Sequence, residues 1–249
     1  MSEIIYDEYF NLEPTSYNKI PPENFISISS IKNINIEFLK QYSYHGYRYE
    51  DGNTLLMDLC IYNNNLSIEM IDLLSSEIGL QNNYGETALM LLCKNNTELK
   101  SNLIIKLQKE IEMRNINCET ALIYLCKYNK NINTNLIKLL KKEICMSDIL
   151  GTTALMYLCM NNYYISEYNI LALANEIDMI DEKNKNALVY YKEFNNKSKI
   201  IIDILSNGEK YKNNTLIFPD CDNYKDTKEY LENIYEEELL ELEEEFSKI

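Results

Sequence analysis

Catalysis needs nucleophiles, proton carriers or metal ligands at spacings that can converge, and in this sequence such groups are sparse. The single histidine, His45, lies among Tyr42, Tyr44, Tyr47 and Tyr49, with no patterned serine or aspartate near it to complete a nucleophile and base. Seven cysteines occur without a CxxC pair or a Cys/His cluster, so neither a zinc site nor a redox pair is indicated. Asp220, Asp222, Tyr224 and Asp226 alternate like part of a calcium loop, yet Lys225 and Leu231 stand where that loop needs its glycine and its last glutamate. The stretch reads as a solvated acidic loop. With six glycines and no G-x-G-x-x-G, P-loop, H-E-x-x-H or G-x-S-x-G, nothing is built to cradle a phosphate or expose a nucleophile. No catalytic residue, cofactor or metal is expected, and the chain reads as a non-enzyme.

What the cysteines do have is a period. Cys60, Cys93, Cys126 and Cys159 end like stretches at residues 54–60 (TLLMDLC), 87–93 (TALMLLC), 120–126 (TALIYLC) and 153–159 (TALMYLC), and residues 186–191 (NALVYY) are a worn fifth copy. Each step is 33 residues. A fixed period of this size marks a solenoid, whose units bury their apolar faces only against their neighbours. The four cysteines are then small buried helix residues, as expected in a reducing compartment without a disulfide framework.

Every copy reads alike. A turn stretch such as residues 82–86 leads to Thr54, Thr87, Thr120 or Thr153, each suited to cap a helix, because its side-chain oxygen can accept an otherwise unpaired N–H of the first turn. The short helix that follows is apolar on neighbouring faces, Ala88, Leu89, Leu92 and Cys93 in the second copy, so it must be packed on more than one side. Asn63, Asn96, Asn129, Asn162 and Asn195 come nine residues after the capping position and are read as helix stops in the left-handed conformation that asparagine tolerates. A second, amphipathic helix carries Leu66, Ile71 and Leu74 and their equivalents, and the unit closes on Glu-Ile at Glu77, Glu110, Glu143 and Glu176. In the fifth copy the spacing slips by one residue.

The flanks differ. Residues 1–21 form an unpatterned arm, residues 22–206 the array, with a degenerate unit at 24–47 and the repeats at 48–206, and residues 207–249 a loop and an acidic helix. Leu231, Tyr235, Leu239, Leu242 and Phe246 give that helix one docking face, and nine glutamates between Glu229 and Glu245 keep the rest in water as a cap. Net charge is −15, of which residues 222–249 contribute −8 from eleven acids and three lysines. Such a balance argues against nucleic acid and anionic membrane as partners and favours a protein with a basic patch. No apolar run reaches the roughly 18 residues of a membrane span, and the acidic start does not resemble a signal peptide, so a cytoplasmic, reducing location is expected.

The pattern resembles the ankyrin repeat. The family's T-P-L-H-x-A corresponds to T-A-L-M-x-L-C here, and Gly52, Gly85 and Gly151 match its turn glycine, two residues before the capping position. Met57, Met90, Ile123, Met156 and Val189 stand in place of the family's histidine, so apolar packing must substitute for its Thr–His hydrogen bond, and Cys118 and Asn184 stand where glycine is expected. The resemblance implies an all-α solenoid of stacked helix-turn-helix units with short finger turns and no shared catalytic activity. It implies protein recognition through finger tips and the concave inner-helix face, where Tyr62, Tyr84 and Tyr128 would face a ligand and Ile116, Ile149 and Leu150 would be exposed at finger tips unless they pack on adjacent fingers. Glu86 and Glu119 would form an acidic rim. Two functions follow as expectations: a protein-binding module serving as adaptor or inhibitor, or a scaffold that recruits a second factor through its C-terminal segment.

Overall fold

In the computed structural model, residues 31–41, 48–96, 99–161, 165–195 and 198–211 are described. The N-terminal arm, His45, Asn162, the acidic loop at 220–226 and the acidic C-terminal helix lie outside them. Among the described residues the only β pairing is an isolated antiparallel bridge between Ser147 and Thr153, and all other regular structure is helical. The described chain opens with α1 (Ile36–Gln41). Five helix pairs follow: α2 (Leu55–Tyr62) with α3 (Ile68–Leu73), α4 (Ala88–Asn95) with α5 (Ser101–Lys106), α6 (Ala121–Tyr128) with α7 (Thr134–Leu139), α8 (Ala154–Asn161) with α9 (Glu167–Ala172), and α10 (Ala187–Phe194) with α11 (Lys199–Ser206). A short α12 (Gly208–Tyr211) ends the described chain. The first helix of each pair packs on the first of the next, and α1 and the second helices likewise pack on one another, giving an inner and an outer layer.

Sequence explains both layers. Thr54, Thr87, Thr120 and Thr153 start the inner helices as expected, each Oγ1 accepting the N–H three residues on at 3.3–3.5 Å. Inner helices are enclosed nearly all round, so residues 88–93 of α4 are all buried, whereas α5 buries only Leu103 and Ile104. Met57, Met90, Ile123 and Met156 are fully buried, the apolar substitution anticipated for the missing histidine. The Thr54 N–H also reaches Met57 Sδ at 3.5 Å.

The asparagine reading needs correction. Asn63, Asn96, Asn129 and Asn195 do end inner helices, but with φ of −83°, −88°, −84° and −120°, none of them left-handed. Their value lies in the side-chain amide. Asn63 Nδ2 donates to the carbonyls of Ile31 and Ile34 at 2.7 and 3.0 Å, Asn129 Nδ2 to those of Cys93 and Asn96 at 3.2 and 2.8 Å, and Asn195 Nδ2 to that of Cys159. Each amide thereby satisfies backbone carbonyls of the preceding unit that would otherwise lack partners.

Left-handed backbone occurs elsewhere. Gly52, Gly85 and Gly151 have φ of 79°, 74° and 76°, and Cys118 and Asn184 hold the same position at 61° and 55° despite their side chains. A second left-handed column, Gly79, Glu112 and Cys145, has φ of 90°, 74° and 69°. It serves the buried glutamates that close each unit. Oε2 of Glu77, Glu110, Glu143 and Glu176 accepts the N–H of Leu56, Leu89, Leu122 and Leu155 at 2.6–2.8 Å. Oε1 of Glu110, Glu143 and Glu176 accepts the N–H of Gly79, Glu112 and Cys145, in the preceding unit, at 2.8–2.9 Å. Among the described residues Glu77 Oε1 has no such partner. Burial pushes the Glu77 carboxyl up to about 7, only partly opposed by the Leu56 N–H, and the other three are raised by burial too.

Candidate protein-binding surface

The turns between pairs are ordered from their first residue. Oδ1 of Asn82, Asn115, Asp148 and Asp181 each accepts two backbone N–H groups, two and four residues on, at 2.8–2.9 Å. Neighbouring turns are then stitched together by their backbones. Asn83, Ile116, Ile149 and Glu182 donate N–H to the carbonyls of Asp51, Tyr84, Asn117 and Leu150 at 2.9–3.0 Å. Arg48 and Gln81 add a second line of stitches, each bonding a carbonyl of its own turn and one of the next, the carbonyls of Gln81 and Arg114 at 2.6 and 2.8 Å. Arg114 continues it to the Ser147 carbonyl at 3.1 Å. The five turns so joined form one continuous edge.

Along that edge stand apolar side chains in water. Ile116, Ile149 and Leu150 are 63%, 61% and 49% exposed, and Tyr84 is 55% exposed, so packing against adjacent fingers does not account for them. Ile180, 58% exposed, extends the strip and was not anticipated. Gln81, Arg114 and Ser147 occupy its position in the other units, so an apolar residue in a polar column was the available signal.

At the inner-helix ends, Tyr128 is exposed and stands edge-on to Tyr124, ring centroids 5.4 Å apart. Lys94 and Lys127 lie over its ring at 5.1 and 5.2 Å. Tyr62 is half-buried and packed against the core, so it offers less surface than expected.

The acidic rim is not there. Glu119 is buried, takes a hydrogen bond from Asn115 Nδ2 at 2.7 Å and pairs with Lys127 at 2.6 Å. Glu86, whose side chain is 13% exposed, accepts from Tyr124 Oη at 2.7 Å and from Asn82 Nδ2 at 2.8 Å, with Lys94 at 3.8 Å. Long inner-helix side chains reach back over the turns and occupy both carboxylates. Tyr157 and Tyr190 do the same, donating to Asp148 at 2.7 Å and to Asp181. Burial and the Asp148 contact push the Tyr157 hydroxyl up to about 12, which keeps it a donor at neutral pH.

No family model matches the chain, and no curated protein matches it. A chain from the solved structure of the predatory endopeptidase Bd0816 of Bdellovibrio bacteriovorus in complex with immunity protein Bd3460 is similar, with a TM-score of 0.54 and 20% identity. The match covers 72% of this chain and 95% of that one. At this identity the likeness speaks for the fold.

The described residues hold no group of three or more His, Cys, Asp or Glu side chains that could bind a metal ion. Cys60, Cys93, Cys126 and Cys159 are buried and their thiols are pushed up by burial, while Cys145 is exposed. No described helix is long and apolar enough to cross a membrane.

Proposed function

We propose that this chain is an ankyrin-repeat protein acting as a non-enzymatic binding module, an adaptor or inhibitor, that holds a partner protein against its turn edge and the adjoining inner-helix ends. One observation carries this reading: Ile116, Ile149 and Leu150 stand exposed on successive turns whose backbones are bonded to one another. A rigid edge loses little conformational entropy on binding, and apolar side chains held in water gain most from being covered. The 33-residue period of helix pairs and the left-handed turn position shared by Gly52, Gly85 and Gly151 support the family reading. The similar structure is, by its name, a complex of two proteins, which agrees with partner binding without pointing to a residue.

With Glu86 and Glu119 occupied internally, the proposed contact rests on Tyr84, Ile116, Tyr128, Ile149, Leu150 and Ile180 and on apolar complementarity. Lys94 and Lys127 are neutralised by the turn acids, so a basic patch on the partner is no longer called for at this edge. The intracellular location and the absence of catalysis remain part of the proposal.

The test is affinity capture from native host extract with the intact chain and with a variant in which Ile116, Ile149 and Leu150 are all serine. At least one protein should be recovered more than tenfold better by the intact chain, with the melting temperatures of the two nearly equal. Equal recovery would move the site elsewhere, and a collapse of the melting temperature would make these residues structural.

A further inference from the structure

Among the described residues the inner layer has an open end. Met57, Met90, Ile123 and Met156 are fully buried in inner helices that each pack on a successor, but Val189, their equivalent in α10, is 37% exposed. Leu188 is half-buried where Leu56, Leu89, Leu122 and Leu155 are fully buried, and Lys192 takes the place of the buried Cys60, Cys93, Cys126 and Cys159. The last inner helix thus presents an apolar strip edged by a lysine on the side where every earlier one meets its successor. Lys183 and Lys199 are also exposed in this unit.

We infer that this face is the docking site of the chain's own acidic C-terminal segment, residues 226–249, and that Leu239 and Leu242 cover Leu188 and Val189 while glutamates of the segment face Lys192. This does not depend on the proposed function of the turn edge. Three observations select the occupant. Leu231, Tyr235, Leu239, Leu242 and Phe246 step by three or four, giving one apolar stripe to set against the one strip that the last inner helix leaves open. Charge is compatible and locally attractive: residues 180–211 are near neutral, with six lysines and five acids, Lys192 is exposed at the open strip, and residues 222–249 carry eleven acids and three lysines. Reach is ample, because the chain between Tyr211 and Asp226, extended at about 3.3 Å per residue, spans roughly 50 Å, against the roughly 10 Å between packed helices. A second copy docking end to end through a two-fold axis would instead bring the same lysine-bearing face of both copies together.

The inference is tested on the full chain in two ways. Zero-length carbodiimide coupling, followed by peptide mass spectrometry of the monomer band, should join Lys192 to glutamates between Glu229 and Glu245. Hydrogen exchange of the amides of residues 190–194 should become at least tenfold faster in the double variant Leu239→Glu, Leu242→Glu. Coupling found only in a dimer band would assign the face to a second copy and overturn the inference. Exchange unchanged in the double variant, or a monomer in which Lys192 couples to no residue of the segment, would overturn it as well.

Discussion

The backbone N–H of Leu89 donates to Oε2 of Glu110 at 2.7 Å, although 21 residues separate them. The other carboxylate oxygen of Glu110 accepts the N–H of Gly79 in the preceding unit at 2.8 Å. One buried side chain therefore caps the start of an inner helix and joins it to the unit before. Removing it leaves the buried Leu89 N–H without its acceptor, at about 1–3 kcal/mol, frees the part-buried Gly79 N–H as well, and opens a cavity. Glu110→Ala should lower the urea midpoint by more than Glu110→Gln, which keeps one acceptor and most of the volume. Equal midpoints for the two would mean that filling space, not accepting hydrogen bonds, is what Glu110 does.

Asn129 permits a sharper discrimination. If it ended α6 by adopting a left-handed conformation, glycine would replace it at little cost. With φ at −84° and its amide on the carbonyls of Cys93 and Asn96, Asn129→Gly and Asn129→Ala should both destabilise, by about 1–2 kcal/mol, with glycine no better than alanine. Denaturant titration of the two variants decides it.

Much of the fold was legible because repetition averages out local ambiguity. A single TALM stretch could be any buried helix, but the same stretch at 33-residue intervals fixes helix starts, inner and outer layers and the turn phase together. What could not be read was the work of long polar side chains across units. Glu110, Asn129 and Glu119 look in sequence like a unit boundary, a helix stop and a surface acid, and each acts through a group 8 to 36 residues away. The exposed strip was legible in part, since Ile116, Ile149 and Leu150 broke the polarity expected of turns, whereas Glu119 was misplaced because nothing local announces that Lys127 and Asn115 will enclose it.

Asp58 and Glu77 give the first repeat a pH dependence. Burial raises both carboxyls to about 7, from 3.8 and 4.5, with Asp51 and Glu77 adding to the effect at Asp58. A carboxyl raised in the folded state holds its proton more firmly folded than unfolded, so its stabilising contribution is complete below about pH 4 and is lost as pH rises through about 7. Melting temperature should therefore fall between pH 5 and pH 8, and the fall should be smaller in the double variant Asp58→Asn, Glu77→Gln. General charge repulsion acts in the same direction but remains in the variant, so the difference between the two slopes isolates these groups. Identical slopes would show that neither carboxyl titrates in this range.

Core truncation should separate the layers from the edge. Leu92 and Leu125 are fully buried in central inner helices, and either one changed to alanine should cost about 2–5 kcal/mol. Ile149→Ser, at an exposed turn position, should change stability by less than about 0.5 kcal/mol. Calorimetric or denaturant unfolding of the three variants gives the comparison, and a loss at Ile149 as large as that at Leu92 would put the turn residue in the core.

The turn column offers a test in which one substitution stabilises and its mirror destabilises. Gly85 has φ of 74°, and a Cβ there would come within 2.9 Å of the Ile116 N atom, the donor that stitches this turn to the next. Gly85→Ala thus adds backbone strain to a steric clash and should destabilise by about 1–3 kcal/mol. Cys118 holds the equivalent position at φ of 61°, with a side chain that disfavours it. Relieving that conformation in Cys118→Gly should raise stability by up to about 1 kcal/mol, since the strain removed exceeds the extra entropy glycine brings to the unfolded chain. Gly79 is the control: its φ is 90°, nothing lies within 4 Å of a Cβ there, and Glu112 and Cys145 already occupy its equivalents, so Gly79→Ala should cost less than Gly85→Ala. Destabilisation by Cys118→Gly, measured by thermal unfolding under reducing conditions, would show that the Cys118 side chain contributes more than its strained backbone costs.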